Sequence, residues 1–415
     1  MPINHSRSKP KVIRIISRLN VGGPARQACF LHEALRDNFE TVLIVGRLDE
    51  NEGDMSYLLA SEDGVRRIRS MSRPVRIWSD VLAFLSIFRI LCAERPDLVH
   101  THAAKAGSLG RVAATLLRVP VVHTYHGHVF NGYFSQLQTR IWLTIERTLN
   151  RITTRTVTIS ESQANELVEK YNVVPRQKMC VIPNGYDLSK FGCETALRRG
   201  RELRRTFGFD ESHFVVLWAG RLVPIKNIGL LAQITREASG SPRLRFLVVG
   251  DGPDREKLET LTAGYSNVHI AGWRKDMPEL WAAADAGLVT SRNEGTPSAL
   301  IEAMASGKPF VSTNVGGVID LAAPPTQTDS RFAVIRAGNG FLTPPEVKPI
   351  LDCLELLAAK PNVALEMGNV GRSFALTYYS ASRLRTDIEA LYLDLLGSKC
   401  TATIPQVKPS LKQSA

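Results

Sequence analysis

Residues 291–317, SRNEGTPSALIEAMASGKPFVSTNVGG, predict a loop, a helix and a strand in succession. Thr296 can cap a helix N-terminus, and Pro297 suits the first helical position, where a missing N–H costs nothing. The residues from Ser298 to Ala305 are good helix formers, and the following Ser-Gly suits the end of the helix. The short apolar run PFVST is then typical of a buried parallel strand.

Two acidic side chains flank the start of this predicted helix. Glu294 precedes the cap, and Glu302 lies about a turn and a half inside the helix. Free N–H groups at a helix start favour anions, and carboxylates accept hydrogen bonds from hydroxyls. A sugar nucleotide carries both phosphate and hydroxyl groups and therefore fits this arrangement. The alternative is that both acids are solvated surface residues.

Length and composition limit the class of protein. A chain of 415 residues with 44% hydrophobic residues predicts two globular domains. No apolar run approaches the roughly 20 residues of a spanning helix, and residues 1–11 lack the apolar core of a secretory signal. Six scattered cysteines suit a reducing cytoplasm. The net charge of +12 favours an anionic partner: nucleic acid, anionic lipid or a phosphorylated substrate.

Apolar runs alternate with amphipathic segments along both halves of the chain, which predicts two doubly wound parallel α/β sheets. Strands are predicted at residues 12–17, 41–46, 97–102, 120–125, 156–160, 214–219, 245–249, 268–271, 286–290 and 309–313. Ser160 is predicted to cap the helix that follows it. The polar, basic stretch at 187–210 is the predicted domain boundary.

Several loops between a predicted strand and the next helix carry residues suited to phosphate. Arg221 and Lys226 follow one strand, where a planar donor fork and a mobile point charge suit a pyrophosphate. Gly22 and Gly23 would let the backbone approach a ligand closely at a helix start. Solvated cations and plain turn glycines are the alternatives, since the full dinucleotide fingerprint is absent.

Five of the nine histidines cluster near two predicted strand ends; they are His100, His102, His123, His126 and His128. Zinc binding is the rival interpretation, because His-x-His spacing can chelate a metal. No acidic or cysteine ligand stands nearby, and no Asp-x-Asp motif occurs, so no metal site is predicted.

The pattern E-G-x-P-x-x-x-x-E at residues 294–302, followed by SGKP, resembles the signature of retaining glycosyltransferases of family 4. Further matching positions are Gly22, Gly23, Arg221, Lys226, Gly250, Gly252 and Gly272. The resemblance spans nearly the whole chain. It implies the GT-B fold, in which two Rossmann-like doubly wound domains face each other across a cleft.

The resemblance also implies domain roles. We expect an acceptor-side domain at residues 1–190, a domain that binds the nucleotide sugar at 191–378, a closing helix at 379–398, and a disordered tail at 399–415.

Site residues follow from the same resemblance. His126 and Glu294 would hold the transferred sugar, while Arg221 and Lys226 would neutralise the leaving diphosphate. The implied donor-binding residues are Gly22, Gly23, Gly272, Trp273, Arg274, Gly295, Thr296, Pro297, Ser298 and Glu302. Lys105 is a candidate for an acceptor phosphate. No cofactor and no metal are expected.

The implied reaction is retaining transfer of a sugar from a UDP-linked donor to a lipid-linked or polysaccharide-precursor glycan. The resemblance further implies that the departing phosphate takes the acceptor proton. One alternative is a sugar-nucleotide epimerase or phosphorylase of the same architecture, although no lysine for pyridoxal phosphate is identified. Another is a non-enzymatic, basic nucleic-acid-binding module, which the 7% aromatic content and the lack of a recognition helix disfavour.

Residues 66–78, RRIRSMSRPVRIW, place five arginines beside aliphatic and aromatic side chains, and the apolar segment 81–91 follows. Such a stretch suits an anionic membrane surface. The alternative is a core helix with solvated arginines. We expect reversible docking on the inner face of the cytoplasmic membrane.

Overall fold

Two mainly parallel sheets, one in each of two units, organise the chain. The computed structural model describes residues 9–20, 22–49, 52–72, 74–127, 136–329 and 333–397. The first unit comprises residues 1–185 and 382–415, and the second comprises residues 186–381. His128, Arg73 and the expected tail at 399–415 lie outside the described residues.

The first sheet has the strand order β3-β2-β1-β4-β5-β6-β7, and every neighbouring pair is parallel. Its strands are β1 (Lys11–Ile16), β2 (Glu40–Gly46), β3 (Val65–Ile68), β4 (Leu98–His102), β5 (Val121–Tyr125), β6 (Arg155–Thr158) and β7 (Met179–Val181). The central strands β1, β4 and β5 are buried along their whole length, as strands of a parallel sheet covered on both faces should be, although they include Arg14, His100 and His102. The strand order reverses between β1 and β4, which is where such sheets bind ligands.

Helices cover both faces of this sheet. They are α1 (Gly23–Ala34), α2 (Ile77–Glu94), α3 (Ala104–Leu116), α4 (Gln136–Arg151) and α5 (Glu161–Asn165), which a π-helical turn at Glu166–Lys170 continues. Ser160 caps α5, because its side chain accepts a hydrogen bond from Gln163 N, and this confirms the prediction. Ala83 and Ile87 of α2 and Ala113 of α3 pack on one face.

The second sheet has the order β10-β9-β8-β11-β12-β15-β14-β13, and its first six strands are parallel. Its strands are β8 (Phe214–Ala219), β9 (Leu244–Val249), β10 (Val268–Gly272), β11 (Ala286–Val289), β12 (Phe310–Thr313), β13 (Gln327–Asp329), β14 (Val334–Ala337) and β15 (Gly340–Thr343). The order again reverses between the first strand, β8, and the fourth, β11. The two doubly wound, Rossmann-like sheets confirm the predicted fold class, and the antiparallel strands β13 and β14 were not predicted.

The remaining helices are α6 (Glu194–Thr206), α7 (Ile228–Glu237), α8 (Arg255–Thr262), α9 (Met277–Ala283), α10 (Ser298–Ala305), α11 (Val347–Ala359), α12 (Pro361–Tyr379) and α13 (Ala381–Leu395). The basic stretch predicted as a boundary thus contains α6, and the units divide just before it, between Gly185 and Tyr186. The last helix, α13, returns to the first unit, where Leu391 and Tyr392 join Val12 and Leu98 in one apolar cluster.

Candidate active site

The loops after β8 and β11 flank the point where the strand order of the second sheet reverses. β8 and β11 are hydrogen-bonded neighbours, so their carboxyl ends lie side by side. The loop after β8 carries Arg221 and a 3-10 turn at Pro224–Lys226, and the loop after β11 carries Ser291 and Glu294. Residues that are far apart in sequence therefore meet where open α/β sheets bind ligands.

An ion pair joins these two loops. The Lys226 ammonium contacts Glu294 Oε1, and Ser291 Oγ donates to the same oxygen at 2.6 Å. Among the described residues, Glu294 Oε2 has no hydrogen-bond partner. The second carboxylate oxygen thus remains available to a ligand hydroxyl, while Lys226 and Ser291 fix the orientation of the group.

Backbone contacts hold Glu294 in place. Gly317 N donates to Glu294 O at 3.0 Å. Gly316 has a φ of +54°, and a Cβ there would lie 2.1 Å from Glu294 O. Only glycine fits this position, so the turn at residues 316–317 is part of the support for the acid.

The start of α10 differs from the prediction in one respect. Thr296 was expected to cap the helix, but the capping position is Pro297, with φ −68° and ψ 114°, so the helix starts one residue later. Thr296 Oγ1 is buried without a hydrogen-bond partner. An orphaned hydroxyl next to the unpaired N–H groups of a helix start is an arrangement that a bound phosphate or sugar oxygen would satisfy.

Glu302 lies one turn inside α10 and is half-buried. Trp281 Nε1 donates to Glu302 Oε2 at 3.2 Å. The buried indole of Trp281, on α9, therefore orients the carboxylate that is expected to bind the donor.

Glycines shape the loops after β8 and β9. Gly220 N donates to Val249 O at 3.0 Å, and Leu222 N donates to Asp251 O at 2.9 Å. Gly250 has a φ of +142°, and a Cβ there would lie 1.8 Å from Gly220 O. This close backbone approach supports the loop that presents Arg221.

The side chains of Arg221 and Trp273 are exposed, Trp273 to 63%. The Arg221 guanidinium makes no hydrogen bond or ion pair with any described residue and is free to meet an anion. Arg274 instead holds Asp276, with Nε 2.8 Å from Oδ1, and this contact keeps the pKa of Asp276 below its usual value. Arg274 can therefore offer its backbone to a ligand while its side chain braces the loop.

His100 and His102 of β4 and His126, just after β5, form a row in the first unit. His100 Nδ1 lies 2.5 Å from the Tyr392 hydroxyl, and His102 Nδ1 lies 3.1 Å from His126 Nε2. Burial lowers the pKa of His126 to about 4 and holds the pKa values of His100 and His102 well below 6.5. These imidazoles are therefore neutral near pH 7. His126 is the half-buried member, and its Nδ1 is without a partner among the described residues.

Two other predicted positions have contacts of their own. Lys105 Nζ pairs with Asp80 Oδ1 at 2.7 Å and also donates to Pro74 O, so an acceptor phosphate would compete with these contacts. Gly22 and Gly23 begin α1, in the loop after β1. In the described part of the chain, no group of three or more His, Cys, Asp or Glu side chains is placed to hold a metal ion.

Sequence reasoning missed the groups that support the site. Ser291, Trp281, His102 and Tyr392 were not assigned roles in it, although each contacts a predicted site residue or the histidine row. Ser291 stands three residues before Glu294 in the sequence, and this proximity could have indicated that the two side chains interact. Nothing local could have placed Tyr392 beside His100, because they are 292 residues apart.

The chain matches the family models Glycosyltransferase Family 4 at residues 21–190 and Glycosyl transferases group 1 at residues 213–354. It is 32% identical over 269 residues to UDP-Gal:alpha-D-GlcNAc-diphosphoundecaprenol alpha-1,3-galactosyltransferase of Escherichia coli, covering 62% of this chain and 68% of that protein. It is 31% identical over 271 residues to GDP-mannose-dependent alpha-mannosyltransferase of Mycobacterium tuberculosis, covering 63% of this chain and 68% of that protein.

Among solved structures, Anabaena HepE in complex with UDP and glucose aligns with a TM-score of 0.73 and 21% identity, covering 92% of this chain and 99% of that chain. At this identity the likeness establishes the fold. Fold and relatives together define a glycosyltransferase of the GT-B class that uses a nucleotide sugar. The chain belongs to glycosyltransferase family 4.

Proposed function

We propose that the protein is a retaining, metal-independent transferase that moves a sugar from a UDP-linked donor to a lipid-linked or polysaccharide-precursor glycan. The observation that carries the proposal is the Lys226–Glu294 ion pair between the two loops at the strand-order reversal of the second sheet. This ion pair places a cation suited to a diphosphate and an acid suited to a sugar hydroxyl in one site.

In this proposal each group has one task. Arg221 and Lys226 stabilise the charge that develops on the leaving diphosphate, together with the N-terminus of α10. Glu302 accepts hydrogen bonds from the ribose, and Glu294 and His126 hold the transferred sugar. The donor also contacts backbone at Gly22, Gly23, Gly272, Trp273 and Arg274 and along residues 295–298.

The bond between the sugar and the diphosphate breaks as the acceptor hydroxyl attacks the same face of the sugar. The proton of that hydroxyl passes to the departing phosphate oxygen, so no separate protein base is required. His126 fits a positioning role, because burial lowers its pKa and leaves it neutral at pH 7.

The choice of donor and acceptor rests on relatives. The Escherichia coli relative is named for UDP-Gal and a diphosphoundecaprenol-linked sugar, whereas the Mycobacterium tuberculosis relative is named for GDP-mannose. We favour a UDP-linked donor and a lipid-linked acceptor because the name of the Escherichia coli relative includes both. Lys105 is the proposed contact for an acceptor phosphate.

We also propose that the protein docks reversibly on the inner face of the cytoplasmic membrane. No helix in the described residues combines the length and the apolar character that crossing a bilayer requires. Within residues 66–78, Arg66 and Arg67 lie on β3 and pair with Glu94 and Glu62, whereas Val75, Ile77 and Trp78 are exposed. The exposed apolar end of this stretch therefore supports docking better than its first arginines do.

The test is a panel of UDP-linked and GDP-linked sugars, incubated with a polyprenyl-diphosphate-linked acetylglucosamine and with a chelator present. We expect acceptor-dependent release of the nucleoside diphosphate and a product that keeps the anomeric configuration of the donor, as read by NMR. Conversion of the donor sugar without nucleotide release would instead identify an epimerase. Activity that the chelator abolishes and zinc restores would overturn metal independence.

A further inference from the structure

Helix α2 is apolar on two sides. Its side chains Ala83, Ile87 and Leu91 are buried against the first sheet. A second stripe faces solvent, with Ile77 76%, Trp78 83% and Leu82 58% exposed, and Val81 and Leu85 continue it. A helix that only covers a sheet needs one apolar stripe, so the sheet does not explain the second one.

The two following helices extend this exposed apolar surface. Helix α3 exposes Val112 and Leu116, and α4 exposes Leu137, Ile141 and Ile145, each set at the spacing of one helix face. Helix α2 packs along α3, and α3 contacts α4. More than half of the large apolar side chains exposed in the described residues lie on α2, α3 or α4. We call this surface the three-helix face.

The charges of the three-helix face are of one sign. The exposed charged side chains on these helices and at their ends are Arg76, Arg89, Arg95, Arg118, Arg140, Arg147 and Arg151.

The acids on the same helices are held in ion pairs. Asp80 pairs with Lys105 at 2.7 Å, Glu94 with Lys11 at 2.9 Å, and Glu146 with Arg111 at 2.8 Å. The face therefore presents apolar side chains surrounded by arginines.

We propose that the three-helix face is a docking surface for an anionic lipid bilayer. Apolar side chains, with a tryptophan among them, suit the headgroup region, and each nearby arginine adds about 1 kcal/mol of attraction to anionic lipid. A second copy of this chain fits worse, because a symmetric contact would set arginines against arginines. Nucleic acid would satisfy the arginines but leave the apolar side chains unused.

This inference deepens the docking part of the proposed function and rests on it. It replaces the short stretch at 66–78 by a surface that reaches α4, about sixty residues further along the chain. The lipid headgroups, rather than the sugar acceptor, are the partner that this surface recognises.

The experiment is co-sedimentation of the full chain with vesicles of phosphatidylglycerol and phosphatidylcholine in equal parts, and with vesicles of phosphatidylcholine alone. One variant changes Trp78, Leu82 and Leu85 to Ser, and a second changes Leu137, Ile141 and Ile145 to Ser. The matched control changes Leu365 and Leu376 to Ser, because these side chains are equally apolar and exposed but lie on α12 of the second unit. A charge variant changes Arg76, Arg89 and Arg140 to Gln.

We expect wild type and the control to sediment with the anionic vesicles. Both apolar variants should lose at least tenfold in partitioning, since each side chain withdrawn from water is worth more than 1 kcal/mol. The charge variant and added salt should weaken binding to anionic vesicles. If the α2 variant loses vesicle binding and the α4 variant keeps it, the proposed role of α4 is wrong. Equal binding to both vesicle types, or none by wild type, would overturn the proposal.

Two further measurements separate this proposal from other outcomes. UDP affinity by calorimetry reports the second unit, so vesicle binding without UDP binding would mean that the donor assignment fails while the docking surface stands. Size-exclusion chromatography reports association between copies. A wild-type dimer that both apolar variants convert to monomer would identify the face as an interface between copies and overturn the bilayer assignment.

Discussion

His102 Nδ1 lies 3.1 Å from His126 Nε2, and the two imidazole rings stack with their centroids 5.3 Å apart. His102 is fully buried on β4, and its ring also stacks on His100, which bonds to Tyr392 of α13. The half-buried His126 is therefore the outermost member of a row that Tyr392 of α13 anchors. His102 is a positioning residue in this arrangement, because it contacts His126 alone among the predicted site residues.

Changing His102 to Gln should lower turnover on the order of 10- to 100-fold, because a displaced His126 no longer fits the sugar. UDP affinity should change little, since the proposed ribose contact at Glu302 and diphosphate contacts at Arg221 and Lys226 belong to the second unit. Kinetics and calorimetry on the same preparation provide the comparison. The control is His123→Gln, whose ring contacts Thr101 rather than His126. Equal loss of turnover in both variants would mean that the effect is one of general packing.

Changing Glu302 to Gln should weaken UDP binding about ten- to a hundredfold, because a hydrogen bond to a charged acceptor contributes about 1.5 to 3 kcal/mol. The fold should survive, since the amide oxygen of glutamine can still accept the bond from Trp281 Nε1. Calorimetry gives the affinity, and circular dichroism confirms the fold. Wild-type affinity in a folded variant would remove Glu302 from the ribose site.

Acid should destabilise the first unit. Burial lowers the pKa of His126 to about 4 and also depresses the pKa values of His100 and His102. The unfolded chain binds these protons near pH 6.5, so the free energy of unfolding falls as pH drops from about 6.5 to about 4. The upper bound is about 1.4 kcal/mol per histidine and pH unit. The urea midpoint of the wild type should be lower at pH 5 than at pH 7. The difference between the two midpoints should be smaller in His102→Gln, which lacks one of these histidines. A midpoint that does not change with pH would contradict the assignment of neutral histidines.

Changing Gly250 to Ala should destabilise the second unit by about 2 kcal/mol or more, because the new Cβ would lie 1.8 Å from Gly220 O at a φ of +142°. Gly229→Ala, near the start of α7, should instead stabilise the second unit, because no atom lies within 4 Å of the new Cβ and alanine favours the helix. Urea unfolding of both variants gives the comparison. Wild-type stability of Gly250→Ala would show that the loop can relax and does not hold Arg221 in place.

Much of the fold was predictable because its central strands are apolar runs between turn residues. The strand predicted at 286–290 occurs at Ala286–Val289, and the helix predicted to open at Pro297 occurs at Ser298–Ala305. Among the strands that were missed, β3, β7 and β13 lie at sheet edges, whereas β14 and β15 lie inside the second sheet. β3 reads V-R-R-I and β13 reads Q-T-D, and such half-exposed or exposed strands carry no apolar run.

The sequence predicted which strand-end residues belong to the site but not which of them contact one another. Lys226 and Glu294 are 68 residues apart, and they meet because β8 and β11 are neighbours, a relation that only the strand order provides. The misplaced cap at Thr296 has a local cause. Pro297 adopts an extended ψ of 114°, so its ring precedes the helix instead of opening it.

The central claim is that a sugar leaves a nucleoside diphosphate at the site built from Arg221, Lys226 and Glu294. The most direct measurement is product formation by mass spectrometry, with the donor that the panel identifies, for wild type, Arg221→Ala and Lys226→Ala. We expect one nucleoside diphosphate released per sugar transferred, and turnover reduced on the order of 10²- to 10³-fold in each variant, because each loses a cation that stabilises the leaving group. Wild-type turnover in both variants would contradict the account.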